Sequence, residues 1–173
     1  LPEGGSTVDF RDPKVGQDPD GTFYTVIGNR TADGSGAILL YQSRDGLRWE
    51  FIGTLDRSRN QYGRMWECPD FFPLDGRQVL IASPQEMNPV GLEFHAGNGT
   101  VCLTGDYAPG GAGFTRRSVQ AVDYGLDFYA PQTLLAPDGR RIMIAWMQNW
   151  GTVGAKPYHC RWFGQMTLPR ELS

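Results

Sequence analysis

The stretch 64-RMWECPDFFP-73 sets one carboxylate, Glu67, between a tryptophan and a cysteine, with Phe71 and Phe72 soon after a proline. Glutamate is seldom buried without a partner, and desolvation disfavours its charged form and raises its pKa. A carboxylic acid kept protonated near neutral pH is what general acid catalysis requires. The alternative, and the more frequent one for a lone residue of this kind, is a strand-start glutamate paired to an arginine. What else the chain delivers to the same place decides between them.

The elements that would position Glu67 are strands. Runs of β-branched and aromatic residues lie between Gly, Asp, Asn and Pro clusters: 22-TFYTVIG-28, 37-AILLYQS-43, 78-QVLIAS-83, 100-TVCLTG-105 and 141-RIMIAW-146. No segment sustains an i, i+3, i+4, i+7 apolar pattern over helical length. The 23 glycines and 12 prolines among 173 residues are well above the usual share of roughly 12%, so turns are frequent and elements short. The reading is all-β, with no helix longer than about two turns.

Three segments follow one plan: RDPKVGQDPDGTFYTVIG, ECPDFFPLDGRQVLIAS and YAPQTLLAPDGRRIMIAW. Each opens around a proline (Pro13, Pro69, Pro131), continues to an Asp-Gly pair (Asp20-Gly21, Asp75-Gly76, Asp138-Gly139) and then enters an apolar strand. Asp-Gly suits a type I′ hairpin, whose two central residues both need φ > 0. The prolines are 56 and 62 residues apart, a little above typical propeller-blade periods. Three such units in succession predict three propeller blades, each a small sheet around a central channel. If the first strand of each blade lines that channel, Arg11-Asp12, Glu67 and the Asp127–Tyr129 stretch share one funnel. Carboxylates from separate blades then meet, which favours a functional role for Glu67. Between the first two units, 43-SRDGLRW-49 reads as a hairpin turn in which Asp45 bonds its own backbone.

Composition excludes several partners. Sixteen Lys+Arg against nineteen Asp+Glu give a net charge of −3 without long runs, which argues against nucleic acid or an anionic membrane surface. No apolar stretch approaches the roughly 18 residues of a membrane span. LPEGGSTVDF is not a signal peptide, and without an initiator methionine it fits a mature, trimmed or excised piece. Cys68, Cys102 and Cys160 are odd in number and widely spaced. They suggest neither a disulfide framework nor, with His95 and His159, a zinc site, and nothing implies a metal or organic cofactor. Free thiols favour a cytoplasmic over a secreted location. Asn29-Arg30-Thr31 and Asn98-Gly99-Thr100 have the form of glycosylation sequons, which also arise by chance. The glycine run at Gly110 reads as a hairpin loop, because no helix pattern follows it to make a phosphate site.

FRDPK, MWECPDFF, DYGLDFYAPQT, GRRIMIAWMQNW and MTLPREL, in this order from Phe10 to Leu172, resemble glycoside hydrolase family 32, which contains invertases, sucrose-6-phosphate hydrolases, levanases and inulinases. The resemblance implies a five-bladed propeller followed by a β-sandwich. Residues 1–173 would be one segment of that propeller, about three blades, without the sandwich. It also implies retaining hydrolysis of terminal β-D-fructofuranosyl residues, with two carboxyl groups about 5–5.5 Å apart. Glu67 matches the acid/base of the family's EC motif, and Asp12 the RDP aspartate that stabilises the transition state. Arg11 would hold the carboxylates in register. Trp146 would wall the sugar site or belong to the core, and Asp127 would tune Glu67 or serve an ordinary turn. The family's nucleophile lies in a WMNDPNG-like motif, which this sequence lacks. Asp18-Pro19-Asp20-Gly21 is only superficially similar and reads as a blade turn. The expected partner is a fructose-containing sugar, with the remaining blades or a partner chain covering the exposed sheet edges. A levansucrase-type transferase, which also uses RDP, is disfavoured by EC in place of an ER-type pair. A carbohydrate-binding domain without chemistry is the reading from another class.

Overall fold

The computed structural model describes residues 2–111, 113–154, 161–162 and 164–173, and the described residues form strands and turns with no helix. Strands β1 (Gly5–Gln17), β2 (Phe23–Thr31), β3 (Gly36–Ser43) and β4 (Glu50–Arg57) make one antiparallel sheet in chain order. Strands β5 (Met65–Leu74), β6 (Arg77–Gln85), β7 (Val101–Tyr107) and β8 (Phe114–Ala121) make a second sheet in the same way. In the third, β10 (Arg141–Trp146) pairs with both β9 (Tyr129–Leu135) and β11 (Arg170–Leu172). These are three consecutive propeller blades, the last with three strands, and their first strands β1, β5 and β9 lie side by side.

The middle blade is buried on both faces, and the period-two alternation of its strands divides them. Phe71, Leu80 and Ala82 pack toward the first blade with Val26, Ile38, Leu40 and Trp66. Phe72, Val79 and Ile81 pack toward the third with Phe128, Met143 and Ala145. The adjacent phenylalanines therefore serve two different cores, and the unbroken apolar run QVLIAS reflects burial on both sides. The first two blades approach closely because glycine lets them. A Cβ on Gly28 would lie 2.3 Å from the Trp66 carbonyl oxygen.

The three Asp-Gly turns are not equivalent. Only Asp75 and Gly76 both have positive φ, 47° and 76°, as a two-residue type I′ turn requires. In the other two, Gly21 N donates to Asp18 O and Gly139 N to Ala136 O, both at 2.9 Å, and only the glycine has positive φ. The cause is the proline just before Asp-Gly at Pro19 and Pro137. Its φ is fixed near −65°, which suits the second position of a type I turn and forbids type I′. The turn at Asp45 forms as expected, with Asp45 Oδ1 accepting from Leu47 N and Arg48 N at 2.9 and 2.8 Å. Gly110 lies in the β7–β8 hairpin loop. Asn29 is not an available sequon, since it is fully buried and donates to Ser6 O and Asp9 O. Cys68 and Cys102 are free thiols, whereas His159 and Cys160 lie outside the described residues.

Candidate active site

Each first strand kinks at the same place. Asp12, Cys68 and Ala130, each followed by proline, have φ of 61°, 46° and 51°. In β1 and β5 the ladder registers shift across the kink, between Arg11 and Lys14 and between Glu67 and Asp70. Bulges of this kind re-aim side chains, and non-glycine residues in this region store strain of about 1–3 kcal/mol each. The amide hydrogens freed at two of the kinks are satisfied from neighbouring strands: Cys68 N donates to Asp12 Oδ2 at 3.0 Å and Ala130 N to Ser83 Oγ at 3.0 Å.

The residues just before the kinks are Arg11, Glu67 and Tyr129, and they converge. Arg11 Nε donates to Glu67 Oε1 at 2.8 Å, and Tyr129 OH donates to Glu67 Oε2 at 2.7 Å. Gln85 Nε2, at the end of β6, and the Trp150 indole N–H each donate to Oε2 at 2.9 Å. Glu67 is 6% exposed, and its carboxylate faces an open cavity of about 430 Å³ that Arg11, Asp12, Tyr129, Trp146 and Trp150 also line. Arg11 is fixed in turn by Asp9, whose Oδ1 accepts from Nη1 at 3.0 Å. Glu67 therefore has the arginine partner of a structural glutamate and the cavity position of a functional one.

The protonation of Glu67 differs from the sequence expectation. Burial does push its carboxyl upward. Hydrogen bonds from Tyr129, Trp150 and Arg11, with the charge of Arg11, outweigh that and leave it below the ordinary 4.5. The expectation counted desolvation alone, whereas four donors collect on the ionised form. Burial and the bond to Glu67 push the Tyr129 phenol strongly upward, so it stays a donor. Burial and the nearby Asp12 push the Cys68 thiol up to about 12. It stays protonated and is no nucleophile.

Asp12 lines the same cavity as Glu67, reaching it from the adjacent blade. Trp146 is half-buried, lines the cavity and meets Trp150 edge-on, with ring centroids 5.7 Å apart. Asp127 makes no hydrogen bond to Glu67 among the described residues. Its Oδ1 accepts from Asn149 Nδ2 at 3.0 Å and Thr152 Oγ1 at 2.9 Å, holding the turn that carries Trp150. Asp18 and Asp20 line a different cavity, of about 370 Å³, beside the β1–β2 turn. Residues 13–17 of β1 lie between Asp18 and Asp12. Sequence reasoning placed the Asp127–Tyr129 stretch in the funnel without naming Tyr129 as a donor, and it missed Gln85 and Trp150. Tyr129 was within reach, because it stands two residues before Pro131 as Glu67 stands before Pro69 and Arg11 before Pro13. Gln85 and Trp150 arrive by tertiary packing and leave no sequence signal. Beneath the cavity, buried Asp70 ties the blades together: its Oδ2 accepts from Thr133 N and Oγ1, both at 2.7 Å, and lies 3.7 Å from Lys14 Nζ.

The sequence profile described as "Glycosyl hydrolases family 32 N-terminal domain" matches residues 1–173. Raffinose invertase of Escherichia coli is 42% identical over 174 residues, covering 99% of this chain and 35% of that protein. Sucrose-6-phosphate hydrolase of Staphylococcus xylosus is 36% identical over 177 residues, covering 100% of this chain and 35% of that protein. A family 32 β-fructofuranosidase from Bombyx mori superposes with a TM-score of 0.82 at 37% identity, over 94% of this chain and 34% of that one. A mutant of the Bombyx enzyme in complex with sucrose matches equally well. The chain thus spans about a third of the length of the curated relatives it matches.

Proposed function

Because this chain belongs to glycosyl hydrolase family 32, we propose that it carries the acid/base side of a site that removes terminal β-D-fructofuranosyl residues, with retention, from sucrose or fructans. The observation that carries this reading is a single buried glutamate, held by four donors, presented to a cavity that a second carboxylate from the adjacent blade also lines. Support for the substrate class comes from relatives named raffinose invertase and sucrose-6-phosphate hydrolase, and from the related enzyme solved with sucrose.

In this mechanism Glu67 gives a proton to the departing glycosidic oxygen as the C–O bond breaks, and later takes one from the water that releases fructose. Asp12 binds fructosyl hydroxyls and stabilises the oxocarbenium-like transition state. Arg11 sets the rotamer of Glu67 through a charge-assisted bond. Trp146 and Trp150 supply an apolar wall. Asp127 contributes by holding the turn of Trp150. Retention needs a nucleophilic carboxylate as well. Among the described residues the cavity holds only Asp12 and Glu67 as carboxylates, and we place the nucleophile outside these 173 residues. Residues 1–173 then act as one propeller segment whose exposed edges pair with the rest of the parent protein.

The test uses the full-length protein. Glu67→Ala lowers turnover of sucrose by roughly 10²–10⁴, and lowers it less for a fructoside whose leaving group needs no proton. Added azide, which needs no general base, restores part of the turnover of that activated substrate. Equal losses on both substrates without an azide effect would reject Glu67 as the acid/base.

A further inference from the structure

Four donors surround one carboxylate, and they are not alike. Arg11, Gln85 and Tyr129 reach Glu67 from strands β1, β6 and β9, and Tyr129 is 1% exposed. Trp150 comes from the turn after β10 and is 53% exposed. The load on the two oxygens is uneven: Oε1 receives one donor and Oε2 receives three, although a carboxylate oxygen offers about two lone pairs. A general acid must point its proton at an acceptor, and here Oε2 faces donors only. A glycosidic oxygen reaches Oε2 only if one donor leaves. Of the three donors on Oε2, Tyr129 is buried and also bonds Ser83 O, Gln85 is half-buried, and Trp150 is the most exposed, so the indole is the one that can go.

Resting on the family 32 reading of this site, we propose that the Trp150 indole is a displaceable donor that holds Glu67 ionised in the empty site and leaves Oε2 when a sugar oxygen takes its place. Substrate entry then removes a bond to the ionised form and favours the proton-carrying form, which donates to the leaving oxygen as that oxygen keeps the C–O electron pair. When the leaving group departs, the indole returns and favours the ionised base that the water-dependent step uses. Trp146, against which the Trp150 ring sits edge-on, keeps the indole beside the cavity in either position. Asp127 is a positioning residue in this scheme, since its carboxylate holds both Asn149 and Thr152 of the turn. The other charged and titratable groups facing Glu67 are Arg11, backed by Asp9, and Asp12, Cys68 and Tyr129. All of these sit on strands and stay in place.

The variant is Trp150→Phe in the full-length protein, which keeps the ring against Trp146 and deletes only the N–H. The pH profile of kcat/KM reports the free enzyme and that of kcat the complex. Trp150→Phe is expected to raise the alkaline-side midpoint of kcat/KM, which a group that must carry its proton sets, by roughly one unit, the size of one bond to a charged group, and to leave that of kcat unchanged. Midpoints that move together, or do not move, overturn the displacement. A second readout needs no turnover. The indole ¹⁵N–¹H resonance that Trp150→Phe deletes should titrate with the Glu67 carboxyl in the unliganded protein and stop doing so with saturating fructose. A resonance indifferent to pH, or to fructose, overturns the proposal. A protein that cleaved no fructoside would sink the functional reading, and the resonance would still decide the role of the indole.

Discussion

Strands β1 and β5 share a backbone plan and differ in surroundings. Both kink at a positive-φ residue before proline, at Asp12-Pro13 and Cys68-Pro69, and both present their site residue just before or at the kink. β5 is the first strand of the middle blade and is buried along most of its length, whereas β1 alternates between half-buried and exposed positions. Glu67 on β5 therefore collects donors from β1, β6, β9 and the Trp150 turn, while the Asp12 side chain on β1 meets only the backbone and thiol of Cys68 among the described residues. The same kink thus makes a tightly held glutamate in the middle blade and a more open carboxylate at the flank. A repeated backbone aims the side chains, and the neighbours on either side set their chemistry.

The sharpest way to break this comparison is the ion pair that links the two strands. Asp70 on β5 has a side chain 2% exposed, while Lys14 on β1 is 31% exposed. Asp70→Ala strands Thr133 N and Oγ1 as well as the lysine, and is expected to cost about 3 kcal/mol. Lys14→Met is expected to cost about 1 kcal/mol or less. Urea midpoints of the two variants measure the asymmetry, and equal losses would show that β1 is as enclosed as β5. Next in size is Gly28→Ala, which drives a Cβ into the Trp66 carbonyl and forces the first two blades apart. A loss of roughly 1–3 kcal/mol is expected, with no change in the pH profile if Glu67 keeps its donors.

Tyr129→Phe sharpens the comparison at the site itself. Glu67 ionises below 4.5 in the folded protein. Its ionised form therefore contributes stability above that value, and the contribution disappears as pH falls through the lower folded midpoint. Deleting the phenol removes one donor to the ionised form and raises the midpoint by roughly one unit. The ¹³C shift of the Glu67 carboxyl reads this directly. Because Tyr129 is buried, the shift should persist with fructose bound, unlike that of Trp150→Phe. The smallest effect belongs to the turns. Gly76→Ala places a side chain at φ 76° in a turn where Asp75 is already at positive φ, for about 1 kcal/mol in the thermal unfolding midpoint. Pro19→Ala, in the looser β1–β2 turn, should cost less.

The sequence alone determined the strands, the repeat and the meeting of Arg11, Asp12 and Glu67, because these follow from local patterns. Runs of β-branched and aromatic residues between turn clusters specify strands, an Asp-Gly pair specifies a reversal, and a proline at a constant offset marks the same bend in each blade. Even the exception among the turns was written locally, in the proline that precedes Asp-Gly at Pro19 and Pro137. What only the tertiary structure decided is the chemical state of that meeting place. Gln85 and Trp150 lie 18 and 83 residues from Glu67 along the chain, and no periodicity carries their side chains to its oxygens. Burial by itself pushes the carboxyl upward, and the donors brought by folding reverse that sign. A strand's pattern reflects which of its faces is dry, but the charge on one buried group depends on every dipole aimed at it, and those come from the whole fold.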